Sequence, residues 1–258
     1  MITAIKHIAI IGSGNIAAYM GLLLSSAGYS VSAVISRNEK TGEQLAKQLQ
    51  TAFTKQFIIP PSTDLVILCV NDDEISHVSE ALEPGDGLVC HCAGSLPLDI
   101  LSRHALRGVL YPLQSINRHS EPVHLEVPFL VESNTDETQV LLEKLISSCG
   151  QLVHKVDYRQ RLAYHLAAVF ANNFTNAMLV ATTDLCADHH IDYRMLRPLI
   201  EETFKRLETH SPVEVQTGPA RRDDTSTMDR HLQLMGNSDI NEVYRAVSGY
   251  IRKRFKDK

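Results

Sequence analysis

Short apolar runs alternate with amphipathic segments through the first 156 residues of the chain. Apolar runs of strand length occur at 8–11, 31–35, 64–70 and 88–92, and segments with helical spacing of apolar residues follow the first three. Continuous apolar strands are typical of a parallel sheet that is covered on both faces. The pattern predicts an α/β fold, with a doubly wound parallel sheet formed by residues 1–156.

The pattern changes at residue 157, after which strand-like runs are no longer found. Residues 158–185 contain no turn residue, and apolar side chains occur nearly all round the helix that this segment would form. We expect such a helix to be buried, either inside a bundle or between subunits. Further helices are predicted at 193–208, 228–235 and 239–255, with Pro198 either in a first turn or at a kink. Residues 157–258 therefore form a second, all-α domain.

The first apolar run ends in a glycine motif, Gly12-Ser13-Gly14, which opens a predicted helix. In a βαβ unit the first glycine permits the tight turn, and the second lets a pyrophosphate approach the backbone. The third position must be small, and Ala17 meets that requirement. A glycine motif alone is weak evidence, but the strand before it and the helix and strand after it favour a dinucleotide site over an ordinary turn.

The end of the second apolar run indicates which dinucleotide is bound. An NAD site usually has an acid here that accepts from the ribose 2′-hydroxyl, but no acid precedes Glu39. Ser36 and Arg37 can instead donate to a 2′-phosphate, and this favours NADP. Nine residues at the carboxyl ends of the predicted strands are expected to contact the cofactor: Gly12, Ser13, Gly14, Asn15, Ile16, Ser36, Arg37, Val70 and Asn71.

Polar residues recur along one side of the long predicted helix. At about 100° per residue, Asn172 and Asn176 each lie about 20° from the direction of His165, and Arg161 lies about 40° away. Buried polar groups need partners, which a substrate pocket would supply; neighbouring helices or water could also supply them. His165 is the candidate proton donor because histidine exchanges protons near neutral pH. Asn172 or Asn173 would hold a carbonyl or imine, and His91 is a competing proton donor.

Further candidates for substrate binding lie outside this helix. Arg221 and Arg222 stand beside two aspartates, where they can either clamp a carboxylate or phosphate or form a surface ion network. Gln114 could contact the nicotinamide or the substrate, although a simple turn explains it equally well. The residues predicted to bind the substrate are Ser95, Gln114, Asn176 and Arg221.

Composition excludes several classes of partner. A net charge of −5 provides no field that would attract nucleic acid. No apolar stretch reaches the length of a membrane span, so we expect a cytoplasmic protein. The odd number of cysteines, five, favours reduced core thiols over a disulfide framework. Cys90 and Cys92 would point away from His91 in a strand, so we predict no metal site.

Three motifs together resemble a known family. The sequences at 111–116, 164–174 and 217–232 are similar to those of Rossmann-like proteins that carry the domain of unknown function numbered 2520. These proteins belong to the 6-phosphogluconate dehydrogenase-like superfamily. The resemblance implies an NADP-binding Rossmann domain, a C-terminal helical domain of the superfamily type and a homodimer formed through the helical domains. It implies a fold and a cofactor more than a particular reaction.

One position departs from the characterised relatives. Enzymes of the hydroxyisobutyrate type place a catalytic lysine three residues before an Asn-Asn pair, and Val169 occupies that position here. The departure puts hydroxyacid dehydrogenation in doubt and leaves His165 as the nearby ionisable substitute. We therefore predict an NADP(H)-dependent oxidoreductase that reduces a small carbonyl or imine. The alternative is a dinucleotide-binding sensor or scaffold without turnover.

Overall fold

The computed structural model describes residues 4–83, 87–117 and 126–256. Within them eight strands form one sheet: His7–Ile11 (β1), Ser30–Ile35 (β2), Ala52–Thr54 (β3), Leu65–Leu68 (β4), Leu88–His91 (β5), Leu106–Pro112 (β6), Pro128–Ser133 (β7) and Leu152–Lys155 (β8). The α-helices are Asn15–Ser26 (α1), Glu39–Gln48 (α2), Asp72–Ala81 (α3), Asp136–Ser148 (α4), Tyr158–Ala168 (α5), Thr175–Asp188 (α6), Arg197–Arg206 (α7), Pro212–Val215 (α8), Thr225–Met235 (α9) and Asp239–Phe255 (α10).

The sheet has the strand order β3-β2-β1-β4-β5-β6-β7-β8. Neighbouring strands are parallel except β6 and β7, which pair antiparallel. The chain leaves β1 toward β2 and β3 on one side and later continues from β4 to β8 on the other. A crevice therefore forms at the carboxyl ends of β1 and β4, where the strand order reverses. The predicted α/β fold is confirmed, with one antiparallel pair added to the parallel sheet.

Helices cover both faces of the sheet. One face buries Ile10 together with Met20 and Leu24 of α1, and the other buries Ile11 together with Ile75 of α3. Successive residues of a strand point to opposite faces, so the four buried residues of β1, from Ile8 to Ile11, are all apolar. This two-sided burial holds the carboxyl ends of the central strands in a fixed arrangement.

Some local features differ from the prediction. The short strand β3 was not predicted, because its three residues are too few to show a period. Asn71 is the N-cap of α3, and Asp72 is its first helical residue. Pro198 lies in the first turn of α7, where a missing N–H removes no helical hydrogen bond.

The segment predicted as one long helix is divided by a π-helix at Val169–Phe174. A π-helix has i→i+5 hydrogen bonds, so each of its turns holds more residues than an α-turn. Side chains beyond it therefore leave the directions calculated for a continuous α-helix. Leu166 is 57% and Phe170 62% exposed, so burial of this segment, inside a bundle or between subunits, stays a prediction.

The chain divides into two compact units between Asn173 and Phe174. The first unit contains the whole sheet together with α5 and most of the π-helix. Hydrogen bonds from α5 to the backbone after β5 and to β7 hold it against the sheet. The change from alternating elements to helices alone comes earlier, after β8. The domain boundary at 156/157 stays a prediction.

Candidate functional site

The glycine motif forms a tight turn between β1 and α1. Gly12 has φ = +121°, and its N–H donates to the carbonyl of Ile35 at 2.8 Å. A Cβ atom at Gly12 would lie 2.7 Å from the carbonyl carbon of Cys69 and would overlap its oxygen. Only glycine accepts both the positive φ and this close approach. The first glycine is therefore required by the backbones of the two central strands.

Gly14 has a different role, since it begins α1 and lies next to open space. No heavy atom lies within 4 Å of a Cβ built at Gly14, and no side chain caps the helix there. The first-turn N–H groups are thus available to an anion, which the helix dipole also favours. This open cradle fits the pyrophosphate of a dinucleotide.

Hydroxyl groups surround the turn on the side of β2. Ser13 Oγ lies 2.8 Å from Ser36 Oγ and 2.6 Å from Thr41 Oγ1. Asn38 caps α2 by accepting from the Thr41 N–H, which holds this end of the helix beside the turn. A cleft of about 340 Å³ opens here, lined in part by Gly12, Ser13, Gly14, Ser36, Arg37, Val70 and Asn71. Seven of the nine predicted cofactor residues therefore line one cleft, which we call the cofactor cleft.

The other two predicted cofactor residues lie beside that cleft. The side-chain amide of Asn15 donates to the carbonyl of Ile116 at 3.3 Å, and Asn15 lines a neighbouring cleft. Ile16 packs partly buried against the core. Their side chains hold the start of α1 in place, and their backbone N–H groups belong to the first helical turn.

An acid that the sequence analysis missed lies in the same cleft. Glu74 Oε2 is 2.9 Å from Arg37 Nη2, and both residues line the cleft. Glu74 is in the first turn of α3, directly after β4, and its carboxylate neutralises the arginine that was expected to bind a 2′-phosphate. The cluster of acids at 72–74 was visible in the sequence, but its distance from Arg37 was not.

A second pocket, of about 510 Å³, lies at the end of β6 and along α5 and the π-helix. Its lining residues are Tyr111, Leu113, Gln114, Ser115, Tyr164, His165, Ala167, Ala168, Val169, Ala171, Asn172 and Asn173. His165, Asn172, Asn173 and Gln114, all predicted from the sequence, therefore share one pocket. We call it the α5 pocket.

The side chains of Tyr111 and His165 form a pair in the α5 pocket. The Tyr111 hydroxyl lies 3.0 Å from His165 Nδ1, and the two rings meet edge to face. A Cβ atom at Gly94 would lie 2.8 Å from both rings, so the pair rests directly on the backbone after β5. Burial raises the pKa of the Tyr111 hydroxyl above its usual value, so this group keeps its proton at neutral pH.

Arg161 fixes α5 to the carboxyl end of the sheet. Its buried guanidinium donates to the carbonyls of Ala93 and Gly94 at 2.9 and 3.0 Å, and to Glu132 Oε2 at 2.9 Å. The side chain of Arg161 is completely buried. The predicted polar stripe is thus divided: Arg161 is bonded to the sheet, whereas His165 one turn later lines the α5 pocket.

His91, the competing proton donor, does not line the α5 pocket. Its side chain is completely buried, and its Nδ1 accepts from the Ala93 N–H at 3.1 Å. Burial, with a smaller effect of Arg161, lowers the pKa of His91 to about 3. The ring therefore stays neutral and enclosed, which argues against proton transfer to a substrate.

The remaining predicted substrate residues do not line the α5 pocket. Ser95 Oγ donates to Asp72 Oδ2 at 2.6 Å, which joins the ends of β4 and β5. Asn176 lies in the second compact unit and is exposed. Arg221 also lies in the second unit, where its guanidinium stacks on Phe255. The roles predicted for Ser95, Asn176 and Arg221 in substrate binding stay predictions.

The glycine turn, the reversal of strand order beside it and the helices after β8 define a Rossmann-type oxidoreductase fold. Residues 127–251 match the family described as Domain of unknown function (DUF2520). Residues 7–91 match the family described as NADP oxidoreductase coenzyme F420-dependent. The resemblance found in the sequence motifs is confirmed by these two matches.

Solved structures share this fold along nearly the whole chain. A Bacteroides fragilis protein described as a candidate NADP oxidoreductase has 29% identity and a TM-score of 0.87, over 96% of this chain and 98% of that one. A reductive aminase from Aspergillus terreus, in complex with NADPH and ethyl-5-oxohexanoate, has 14% identity and a TM-score of 0.74, over 99% and 95%. A 1-pyrroline-5-carboxylate reductase from Streptococcus pyogenes has 14% identity and a TM-score of 0.65, over 98% of this chain and 98% of that one. No curated protein matches the chain.

Among the described residues, no helix is long and apolar enough to cross a membrane.

Proposed function

We propose that the protein is an NADPH-dependent reductase of a small carbonyl or imine compound. The observation that carries this proposal is the Tyr111–His165 pair, which lies beside the carboxyl ends of β5 and β6 and lines a pocket of ligand size. Hydride transfer is the chemistry that the bound nicotinamide supplies. The chain must then bind the substrate, orient it and deliver one proton.

The Tyr111 hydroxyl is the group from which that proton leaves. It retains its proton at neutral pH. A doubly protonated His165, whose Nδ1 lies 3.0 Å from this hydroxyl, would then return a proton to Tyr111 after the transfer and become neutral. Val169 cannot exchange a proton, so this pair takes the place of the lysine that related enzymes have there. The amides of Asn172 and Asn173 line the same pocket, where they can hold the substrate oxygen or nitrogen.

The α5 pocket favours an uncharged substrate. Among its described lining residues there is no lysine, arginine, aspartate or glutamate. Five of them are aliphatic, namely Leu113, Ala167, Ala168, Val169 and Ala171, and the ring of Tyr164 adds further apolar surface. Arg161 lies close by but is bonded to Glu132 and to two carbonyls. We therefore propose aldehydes, ketones and neutral imines with short apolar substituents. The reductive aminase with a similar fold was solved with a keto ester, which belongs to this class.

Variants of the proton-donating pair test the proposal. With a panel of small ketones, aldehydes and cyclic imines, NADPH oxidation identifies a substrate for the native protein. Tyr111→Phe and His165→Ala should then lower turnover by about 10²–10⁴-fold, because general acid catalysis is lost. NADPH affinity should remain unchanged in both variants, since neither side chain lines the cofactor cleft.

Tyr164→Phe is the matched control, because Tyr164 lines the same pocket without bonding to His165 in the described contacts. It should retain most of the activity. Full turnover in Tyr111→Phe would contradict the assignment of the proton. Tight NADPH binding with no turnover on the whole panel would favour the alternative, a dinucleotide-binding sensor or scaffold.

We propose NADP rather than NAD as the cofactor. Support comes from Arg37 and the hydroxyls of Ser36, Ser13 and Thr41, which can donate to a 2′-phosphate at the edge of the cleft. The Glu74 carboxylate opposes this preference, because it pairs with Arg37 and would repel a phosphate. Arg37→Ser should therefore weaken NADPH binding about tenfold or more while NADH binding changes little.

Glu74→Gln should have the opposite effect, with tighter NADPH binding, because Arg37 is then free to face the phosphate. Both affinities are measured by titration of the nicotinamide fluorescence at fixed salt. Equal affinities for NADH and NADPH in the native protein would contradict the assignment of Ser36 and Arg37.

The homodimer and the cytoplasmic location stay proposals. The second unit exposes large apolar side chains, among them Met195 at 77%, Tyr250 at 68% and Leu199 at 65% exposure. Exposed apolar surface of this extent is typical of a surface that is covered by a partner. A molar mass of one chain by light scattering at micromolar concentration would contradict the homodimer.

A further inference from the structure

A pocket of about 490 Å³ lies entirely within the second compact unit, between a short 3₁₀ turn and the last two turns of α10. The 3₁₀ turn is Ala220–Arg222. The lining residues, which we call the basic pocket, are Ala220, Arg221, Arg222, Asp223, Gly249, Arg252, Lys253, Phe255 and Lys256. Its volume is in the range of pockets that hold small ligands.

Two contacts hold the basic side chains in place. The Arg221 guanidinium lies 4.3 Å from the centre of the Phe255 ring, and Phe255 is buried. Arg252 Nε lies 2.6 Å from Asp223 Oδ1. Asp223 has φ = +57°, a left-handed conformation that turns the chain sharply and directs the 3₁₀ turn toward α10. Arg221 and Arg252 are thus each held by one contact, which lowers the conformational entropy that their side chains lose when a ligand binds.

The charge of the basic pocket is unusual for this chain. Five cationic side chains line it, and among the described residues Asp223 is the one acid that does so. Cations in the last turn of α10 are explained by the helix dipole. The dipole of α10 does not explain Arg221 and Arg222, because these two residues belong to the 3₁₀ turn and line the pocket together with cations of α10. Since the whole chain has a net charge of −5, this concentration of positive charge is local.

We infer that the basic pocket binds a small molecule that carries a phosphate or diphosphate group. A phosphate would offset the repulsion among the cations, and the planar guanidinium of arginine matches phosphate oxygens in a bidentate geometry. Stacking on Phe255 leaves the edge nitrogens of Arg221 available for such bonds. The pocket is a concave site of limited size, which favours a small anion over a nucleic acid.

Binding at the basic pocket requires no turnover at the α5 pocket, so the inference does not depend on the proposed reaction. It assigns Arg221 to an anion-binding site that is complete within residues 220–256. The sequence left open whether this loop is an anion clamp or a surface ion network. In the described contacts Asp223 pairs with Arg252 of α10, and Arg221 pairs with no acid, which leaves its guanidinium available to an anion.

The test is calorimetric titration of the full chain with inorganic pyrophosphate at low salt, in the presence of saturating NADP⁺ to occupy the cofactor cleft. Arg221→Gln and Arg252→Gln should each weaken binding by about tenfold or more, since each removes a charge-assisted hydrogen bond. Asp223→Asn should strengthen binding, because it removes the negative charge from the pocket. Thermal unfolding of each variant shows whether its fold is retained.

Arg254→Gln is the matched control, because Arg254 lies in the same helical turn but does not line the pocket. It should leave pyrophosphate affinity nearly unchanged. An equal loss in Arg254→Gln, or no saturable binding by the native chain, would overturn the inference. Binding of duplex DNA that Arg221→Gln abolishes would overturn it too, in favour of a nucleic-acid surface. Titration with inorganic phosphate and with a phosphate monoester then shows whether free phosphate or an esterified group is preferred.

Discussion

Gly12→Ala should abolish dinucleotide binding and lower the free energy of unfolding by more than about 2 kcal/mol. Alanine is strained at φ = +121°, and its methyl group would overlap the carbonyl oxygen of Cys69 at the end of β4. To relieve the overlap, β1 and β4 would have to separate at their carboxyl ends. The cofactor cleft lies at those ends, so folding and binding should both be impaired.

Gly14→Ala is the matched variant, because it makes the same chemical change two residues away. A methyl group at Gly14 meets no heavy atom within 4 Å, so the stability should change by less than about 1 kcal/mol. Its effect should appear in NADPH affinity, since the methyl occupies the space where the pyrophosphate approaches the backbone. Urea unfolding and NADPH titration of both variants measure the two effects separately. Equal stability losses at the two glycines would contradict the role given to Cys69.

Arg161→Met should lower the free energy of unfolding by about 3–5 kcal/mol. The Arg161 guanidinium is fully buried, and its removal leaves the Glu132 carboxylate and the carbonyls of Ala93 and Gly94 without their donor. An uncompensated buried charge is costly because it has been removed from water. The end of α5 should also loosen, which would misplace His165 relative to Tyr111.

The control is Arg37→Met, which removes an arginine that also forms an ion pair, but at the surface. The side chain of Arg37 is 72% exposed, so loss of its pair with Glu74 should change stability by less than about 1 kcal/mol. The double variant Arg161→Met with Glu132→Gln should be more stable than Arg161→Met alone, because the unpaired charge is gone. Urea titration of the three variants measures these changes in the free energy of unfolding. A loss at Arg161 as small as that at Arg37 would show that the buried pair contributes little.

Most of the fold was predictable because it depends on local patterns. The apolar runs became β1, β2, β4 and β5, and the glycine motif became the turn at Gly12. These features follow from alternation of strand and helix and from glycine, which accepts the φ of +121° found at Gly12. The motif also located the cofactor cleft, in which seven of the nine predicted residues lie.

The candidate site was predicted only in part, and the errors share a physical cause. Helical spacing correctly placed His165 and Asn172 in one pocket, but the π-helix at Val169–Phe174 interrupts that spacing for the residues that follow. Tyr111 was passed over as a proton donor because it lies 54 residues from its partner His165. Glu74 was missed for the same reason, since 37 residues separate it from Arg37 along the chain (74 − 37 = 37).

The sequence alone determined that this chain forms a sheet with a glycine turn for a dinucleotide, and that its second half is helical. Those conclusions rest on spacing within about thirty residues, where backbone geometry limits the choices. Only the tertiary structure decided which side chains meet: Tyr111 with His165, Arg161 with Glu132, and Arg221 with Phe255. Such pairs depend on how strands and helices pack in three dimensions, which local spacing does not specify.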